Sequence, residues 1–409
     1  MSPSNHSAFA ALRHRDFRLL WMGQIVSVTG SQMQFVAINW HVYLLTKSAF
    51  ALGLVGLFRG LPIILCSLVG GVVADAVDRK RLMVVTQLVM LVCAALLTAG
   101  TLAGMESVWP IYILSGFASA ATAFDVPARQ SLMPTLVPPE DFPNAVSLGI
   151  LVFNVATIGG PAIAGFLLAE SGPAVIYGLN ALSFLAVIAA LIAMRASGKA
   201  DEERERKDAL SFAALKEGLK FVWHTPIIVQ TMTLDFVATF FASATLLLPI
   251  FAQERLHVGA RGYGFLAAAP AIGSVLTALV MARMGSFRKQ GRLVVWSVAV
   301  FGIATAAFGI STVYWFSLVM LAVTGAADTV STVLRQTIRQ LVTPNHLRGR
   351  MTSINMMFFM GGPQLGELEA GTLASFIGAP LSVVIGGLGS LICAAIAAVK
   401  SKRLMEFEI

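Results

Sequence analysis

The chain has 409 residues, 57% of them hydrophobic and only 12% charged, with a mean hydropathy of +0.79. A soluble domain of this length carries roughly twice that charged fraction, so a water-soluble globular protein is excluded and lipid is the solvent. The net charge of +8 does not mark a nucleic-acid binder, because the cations fall between apolar runs and form no basic stripe interleaved with aromatics.

In chain order, the first apolar run covers 17–45, behind Arg13, Arg15 and Arg18. It is too long for a signal-peptide core and is expected to remain as the first span. Five more runs follow at 49–74, 82–103, 109–128, 146–169 and 173–194. A hydrophilic stretch at 195–225, with a solvated charge run at 201–208, then interrupts the pattern. Six further runs lie at 227–252, 262–282, 293–311, 314–334, 351–376 and 380–399. As helices, runs of roughly 20 residues cross ~30 Å of hydrocarbon. The predicted fold is an all-α membrane protein of twelve transmembrane helices. It divides into two six-helix pseudosymmetric halves, 1–194 and 226–409, joined by a cytoplasmic linker at 195–225.

With a cytoplasmic N-terminus, all of the 29 Lys and Arg residues except Lys47, Arg59, Arg255 and Arg261 fall on the inner side. The positive-inside rule therefore places both termini in the cytoplasm. The halves echo each other. Arg129-Gln130 is followed by Val137, Pro139 and Phe142, and Arg335-Gln336 by Val342, Pro344 and Leu347. Two similar halves suit alternating access around a site at the membrane midplane. The cysteines Cys66, Cys93 and Cys393 each sit in an apolar run with no metal or redox spacing, and are expected to be buried and inert.

Between spans two and three stand Gly71, Asp75, Arg79 and Lys80. There a glycine permits close helix approach, a carboxylate can cap a neighbouring helix, and the basic run fixes an inner loop. Other segments are Phe17-Arg18-Leu19-Leu20-Trp21 with Gly23-Gln24, the stretch Phe124-Asp125-Val126-Pro127-Ala128-Arg129-Gln130, Glu217-Gly218-Leu219-Lys220-Phe221, and Gly366-Glu367. Together these resemble the major facilitator superfamily, in its exporter branch of enterobactin and macrolide efflux proteins, over nearly the whole chain. The resemblance implies that Gly71, Asp75, Arg79 and Lys80 control conformational exchange and that Asp125 partners Arg79. It implies that spans two and eleven face each other, so that Arg59 and Glu367 pair between the halves. In span five, Gly149, Gly159, Gly160, Pro161 and Gly165 resemble the superfamily's export-associated signature. Gly160, Pro161 and Gly165 would supply close packing and a bend. The arginine that many proton-driven relatives carry within span four has no counterpart, since 112–123 holds no cation.

A charge at the bilayer centre costs about 2.5–3.5 kcal/mol, so each intramembrane charge needs a partner or a task. Asp235, Asp328 and Glu369 are the proton-coupling candidates. Asp235 is preferred because Thr231 and Thr239 flank it at one helical turn, whereas Asp328 has Arg335 two turns away on its own face. Gln24, Ser27, Ser31, Gln34 and His41 share a face of span one, and Thr324, Asp328, Ser331 and Arg335 a face of span ten. Such stripes either bond helices together or line a solute path. Two of them on helices that the resemblance assigns to the cavity favour the path.

The function expected is proton-coupled efflux of a small organic molecule such as a siderophore. The alternatives are macrolide or multidrug efflux and, from another class, a transporter-like sensor without flux. No phosphate-binding loop, catalytic residue, metal site or cofactor motif is seen, so the chain reads as a non-enzyme. Its partners are a small-molecule substrate, protons and the lipid bilayer, not nucleic acid. It is expected to be a monomer in the bacterial inner membrane.

Overall fold

An apolar chain in lipid must satisfy each backbone N–H and C=O within its own segment, and helices do so locally. The computed structural model is accordingly almost wholly helical, with no strand among the described residues. It describes residues 9–104, 106–196, 198, 219–241, 244–285, 287–344 and 347–407, without the side chains of 68, 72, 75, 244, 348–350, 352–354, 356–361 and 402. The acidic and basic run at 201–208 lies outside the described residues, as does Glu217-Gly218.

The main helices are α1 (Arg15–Thr46), α2 (Ala49–Ala76), α3 (Arg79–Leu102), α4 (Trp109–Leu132), α5 (Phe142–Ser171) and α6 (Pro173–Ala193). After them come α7 (Pro226–Phe241), α8 (Gly259–Met284), α9 (Gln290–Ile310), α10 (Tyr314–Val342), α11 (Arg348–Ile377) and α12 (Ala379–Lys400). Short turns at Ala244–Leu247, Leu248–Ile250 and Phe251–Arg255 follow α7, the last of them π-helical. Several helices overrun the apolar runs because polar residues at their ends stay helical. The prominent case is α10, which continues from Leu334 through Arg335 and Arg339 to Val342.

Where the sequence suggests twelve spans, ten helical stretches among the described residues are long and apolar enough to cross a membrane. The helices α1 and α11 fall outside that set although they are 32 and 30 residues long. Polar residues dilute both: Gln24, Ser27, Gln34, Asn39 and His41 in α1, and Gln364, Glu367 and Glu369 in α11.

Two sharp corners bear on the repeat. Gly172 joins α5 to α6 with φ +75°, and Gly378 joins α11 to α12 with φ +85°. A side chain disfavours that region, and a proline in the first turn of each following helix, Pro173 and Pro380, pre-sets the helical φ. The two glycines are separated by the offset that separates Arg129 from Arg335.

The contacts form two units: Met1–Ile38 with Leu61–Ala209, and Asn39–Gly60 with Leu210–Ile409. A division at the 195–225 linker alone would leave Asn39–Gly60 with the first set of helices, whereas its contacts lie with the second. The first unit's core gathers Phe17, Leu20, Met83, Leu132, Leu148 and Leu191. The second unit's core gathers Leu234, Ala238, Val298, Leu334, Ile338 and Ala394. The reason for the grouping of Asn39–Gly60 is a ladder of small residues. Gly53, Gly56 and Gly60 of α2 meet Gly371, Glu367 and Gln364 of α11 in turn, and a Cβ on Gly56 would come within 2.6 Å of the Glu367 Cβ. Nearby, Trp40 stacks on Tyr263 with centroids 5.3 Å apart, and the Tyr43 hydroxyl donates to Glu254 at 2.5 Å.

Candidate transport site

The strongest concentration of buried charge lies in the second unit. On α10, Asp328, Thr332, Arg335 and Arg339 recur at spacings of four, three and four, which sets them on one face. That face meets Asp235 of α7. Arg335 Nη2 stands 2.7 Å from Asp235 Oδ1 and 4.0 Å from Asp328 Oδ1. Arg339 Nη1 stands 4.0 Å from Asp235 Oδ2 and donates to Asn355 Oδ1 of α11 at 2.5 Å. Arg335 also donates to Thr332 Oγ1 at 3.1 Å. The Arg335 and Asp235 side chains are 1% and 5% exposed, whereas that of Asp328 is 47% exposed.

Asp328 is open because it borders a cavity of about 230 Å³, lined by α7, α8, α9, α10 and α11 and by Thr245. Thr239, Ser274, Thr305 and Thr324 bring hydroxyls to its wall, and Asp328 is its one charged residue among the lining groups. The arrangement balances two guanidinium groups with two carboxylates of unequal standing. Asp235 holds Arg335 in a tight, desolvated pair. Asp328, farther away, borders the cavity. Removing one member of such a buried pair leaves an uncompensated charge, at a cost of about 3–5 kcal/mol.

This pairing differs from the sequence expectation. Thr231 and Thr239, expected to flank the Asp235 carboxylate, donate instead to the carbonyls of Ile228 and Asp235. Arg335, expected beside Asp328, lies closer to Asp235. Glu369 lies half-buried on α11, outside the cluster's contacts. Ser331 is buried, with no partner for its hydroxyl among the described residues.

Arg59 and Glu367 are brought together, each in the electrostatic field of the other, where α2 packs on α11. Both belong to the second unit by contacts. Sequence reasoning missed the glycines beside them, although Gly56 and Gly60 form a G-x-x-x-G motif that announces close helix approach.

In the first unit, Asp78 caps α3 by accepting from the Arg81 amide at 3.0 Å. Buried Arg79 donates to the Ser131 carbonyl at 3.2 Å, and Lys80 to that of Met194 at 2.7 Å. The Asp75 side chain lies outside the described residues. The partners seen for Asp125 are Thr86 and Gln87, both donating to Oδ1 at 3.0 Å, rather than the expected Arg79. Gly71 faces open space, and the close approach expected of it falls to Gly70, against the Ala123 carbonyl of α4.

The α1 stripe divides by contact. Gln24 accepts from Arg129 of α4, and Gln34 accepts from Asn180 of α6 at 2.8 Å. Ser27 is buried and Ser31 exposed. Gln34 thus ties helices together. In α5, Gly160 approaches α1 so closely that a Cβ would lie 2.7 Å from that of Gln32, while Pro161 and Gly165 are buried beside it.

Comparison with known proteins places the whole chain. A family model described as transmembrane secretion effector (MFS_3) matches residues 6–408. Over 379 residues the chain is 25% identical to the enterobactin exporter EntS of Shigella boydii serotype 18, covering 93% of this chain and 90% of the relative. The enterobactin exporter of Escherichia coli O139:H28 matches with the same identity and coverage. Among solved structures, a bacterial homolog of the human lysosomal transporter Spinster superposes with a TM-score of 0.74 at 15% identity, covering 95% of this chain and 97% of that one. The nucleoside transporter NupG superposes with a TM-score of 0.71 at 12% identity, over 96% and 100%. At those identities the structures share the fold alone.

Proposed function

We propose, because the chain belongs to the transmembrane secretion effector family of the major facilitator superfamily, that it exports a small organic molecule by proton antiport. A siderophore is the favoured substrate, since the relatives at 25% identity are named as enterobactin exporters. In this reading twelve helices span the bacterial inner membrane with both termini in the cytoplasm. The two repeats alternate access, and a monomer suffices. Asp75 and Arg79 set the conformational equilibrium.

The observation that carries proton coupling is the unequal sharing of Arg335 by Asp235 and Asp328 beside a hydroxyl-lined cavity. A proton taken up by Asp328 cancels one negative charge and leaves Arg335 to Asp235 alone. Its release restores the balance. In a low-dielectric interior a one-charge difference changes the relative energies of two conformations, which is what coupling requires. Asp328 thereby takes precedence over Asp235 and Glu369 as the proton carrier.

The test is flux from proteoliposomes loaded with enterobactin or with a macrolide, with and without an imposed pH gradient. Gradient-driven movement of enterobactin supports siderophore antiport. Movement of the macrolide alone transfers the proposal to drug efflux. Binding without flux of either makes the protein a sensor.

A further inference from the structure

The arginine of the repeated Arg-Gln pair reaches α1 in the first six-helix half of the sequence and α7, its counterpart in order, in the second. Arg335 meets a carboxylate, Asp235 of α7. Arg129 meets a neutral amide, Gln24 of α1, donating through Nη1 to Oε1. Among the described residues no carboxylate lies within 4.0 Å of Arg129. Asp125, one turn earlier on α4, spends Oδ1 on Thr86 and Gln87 of α3. Where the second unit sets a carboxylate against this arginine, the first unit sets a neutral amide.

A second observation points the same way. Gln24 is 7% exposed, and with its oxygen fixed by Arg129 its Nε2 has no acceptor among the described residues. A buried amide N–H without an acceptor costs about 1–3 kcal/mol, so an acceptor belongs there. Arg129 itself is only partly buried. A half-open guanidinium beside an unsatisfied amide N–H offers a planar oxyanion a charge and several donors, and offers a cation nothing.

We infer that Arg129 and Gln24 form a recognition subsite for an organic anion, a carboxylate or ionised phenol, on the molecule exported. The inference rests on the exporter reading for the identity of the ligand, but not for the chemistry of the site. A bound anion would accept from Gln24 Nε2 and from the guanidinium donors of Arg129 that Gln24 leaves free. The two units then divide the work: one recognises an anionic group and the other carries the proton.

The experiment measures equilibrium binding of salicylate and of its neutral analogue salicylamide to the full chain in nanodiscs of neutral phosphatidylcholine, where no anionic headgroup competes. The wild type should bind salicylate at least about tenfold more tightly than salicylamide, the worth of a charge-assisted hydrogen bond. Arg129→Gln should abolish the preference and Arg129→Lys should keep part of it. The decisive variant is Gln24→Glu, which copies the ion pair of the second unit, keeps Arg129 held and should erase the preference without loss of fold. Equal binding of the two compounds, no binding of either up to about 10 mM, or a preference that survives Gln24→Glu overturns the inference. A preference lost in Gln24→Glu with no flux of any substrate defeats the exporter reading alone. Flux with Gln24→Glu retaining full affinity for the exported molecule defeats the subsite alone.

Discussion

Arg335 stands 2.7 Å from one carboxylate and 4.0 Å from another, and the proposed coupling gives Asp235 and Asp328 separate tasks. Asp328→Asn should abolish accumulation driven by a pH gradient while downhill exchange continues, because the cavity-facing proton site is gone and the buried pair remains. Counterflow and gradient-driven uptake in one proteoliposome preparation separate the two activities. A variant that still concentrates substrate removes Asp328 from the coupling. Asp235→Asn should act differently, stranding a guanidinium that is 1% exposed and costing about 3–5 kcal/mol of stability. A thermal melt in detergent reads that loss, and an unchanged midpoint would show that Asp328, 4.0 Å away, suffices as the counterion. The sequence marks Asp235, Asp328 and Arg335, since charges in or at the ends of apolar runs are conspicuous and the α10 face follows from helical spacing, but it does not mark Arg339, which lies beyond the apolar run. It does not reveal who pairs with whom. The threonines at Thr231 and Thr239 look like ligands for Asp235 in one dimension, yet a helical hydroxyl readily bonds the carbonyl a turn behind it.

Among the helices, the contact of α2 with α11 shows how small residues and a charge pair share one seam. Gly53, Gly56 and Gly60 present no side chains to Gly371, Glu367 and Gln364, so the backbones approach and Arg59 comes into the field of Glu367. Gly56→Leu should overpack this seam at a cost of about 1–3 kcal/mol, lowering the folded fraction recovered by size exclusion. Gly71→Leu, which faces open space, serves as a control expected to fold normally. Equal recovery of the two would show that the seam yields freely. Arg59→Gln and Glu367→Gln should each impair the protein more than the double change, with a coupling of roughly 0.5–3 kcal/mol in a melt. Additive defects would mean that the charges do not pair. Helix positions are legible from the apolar runs because the rule behind them is one-dimensional. Glycine roles are less so: Gly71 has the expected sequence context, yet Gly70 makes the contact, a rotation of one residue that only packing decides.

For the molecule as a whole, the open matter is how α1 and α11 can cross lipid when neither is apolar enough by composition. Their contacts supply a reason. On α1, Gln24 takes Arg129 and Gln34 takes Asn180, while on α11 Glu367 takes Arg59 and Asn355 takes Arg339. Polar side chains turned toward partners in the protein are not presented to hydrocarbon, and a helix so partnered can span despite a low mean hydropathy. Parity fixes how many helices cross. Exposed Glu106 follows α3, and exposed Thr312 precedes α10. If α2 and α3 both cross, an inside N-terminus with an outside residue 106 requires that α1 cross as well. If α10 and α12 both cross, an outside residue 312 with an inside C-terminus requires that α11 cross. In a background lacking Cys66, Cys93 and Cys393, Glu106→Cys and Thr312→Cys should react with a membrane-impermeant maleimide added to intact cells. Arg81→Cys and Lys289→Cys should react only after permeabilisation, and tags at both termini should resist external protease. Labelling of Lys289→Cys in intact cells would reverse the second set of helices. A protease-sensitive C-terminal tag with Thr312→Cys labelled from outside would show that α11 does not cross.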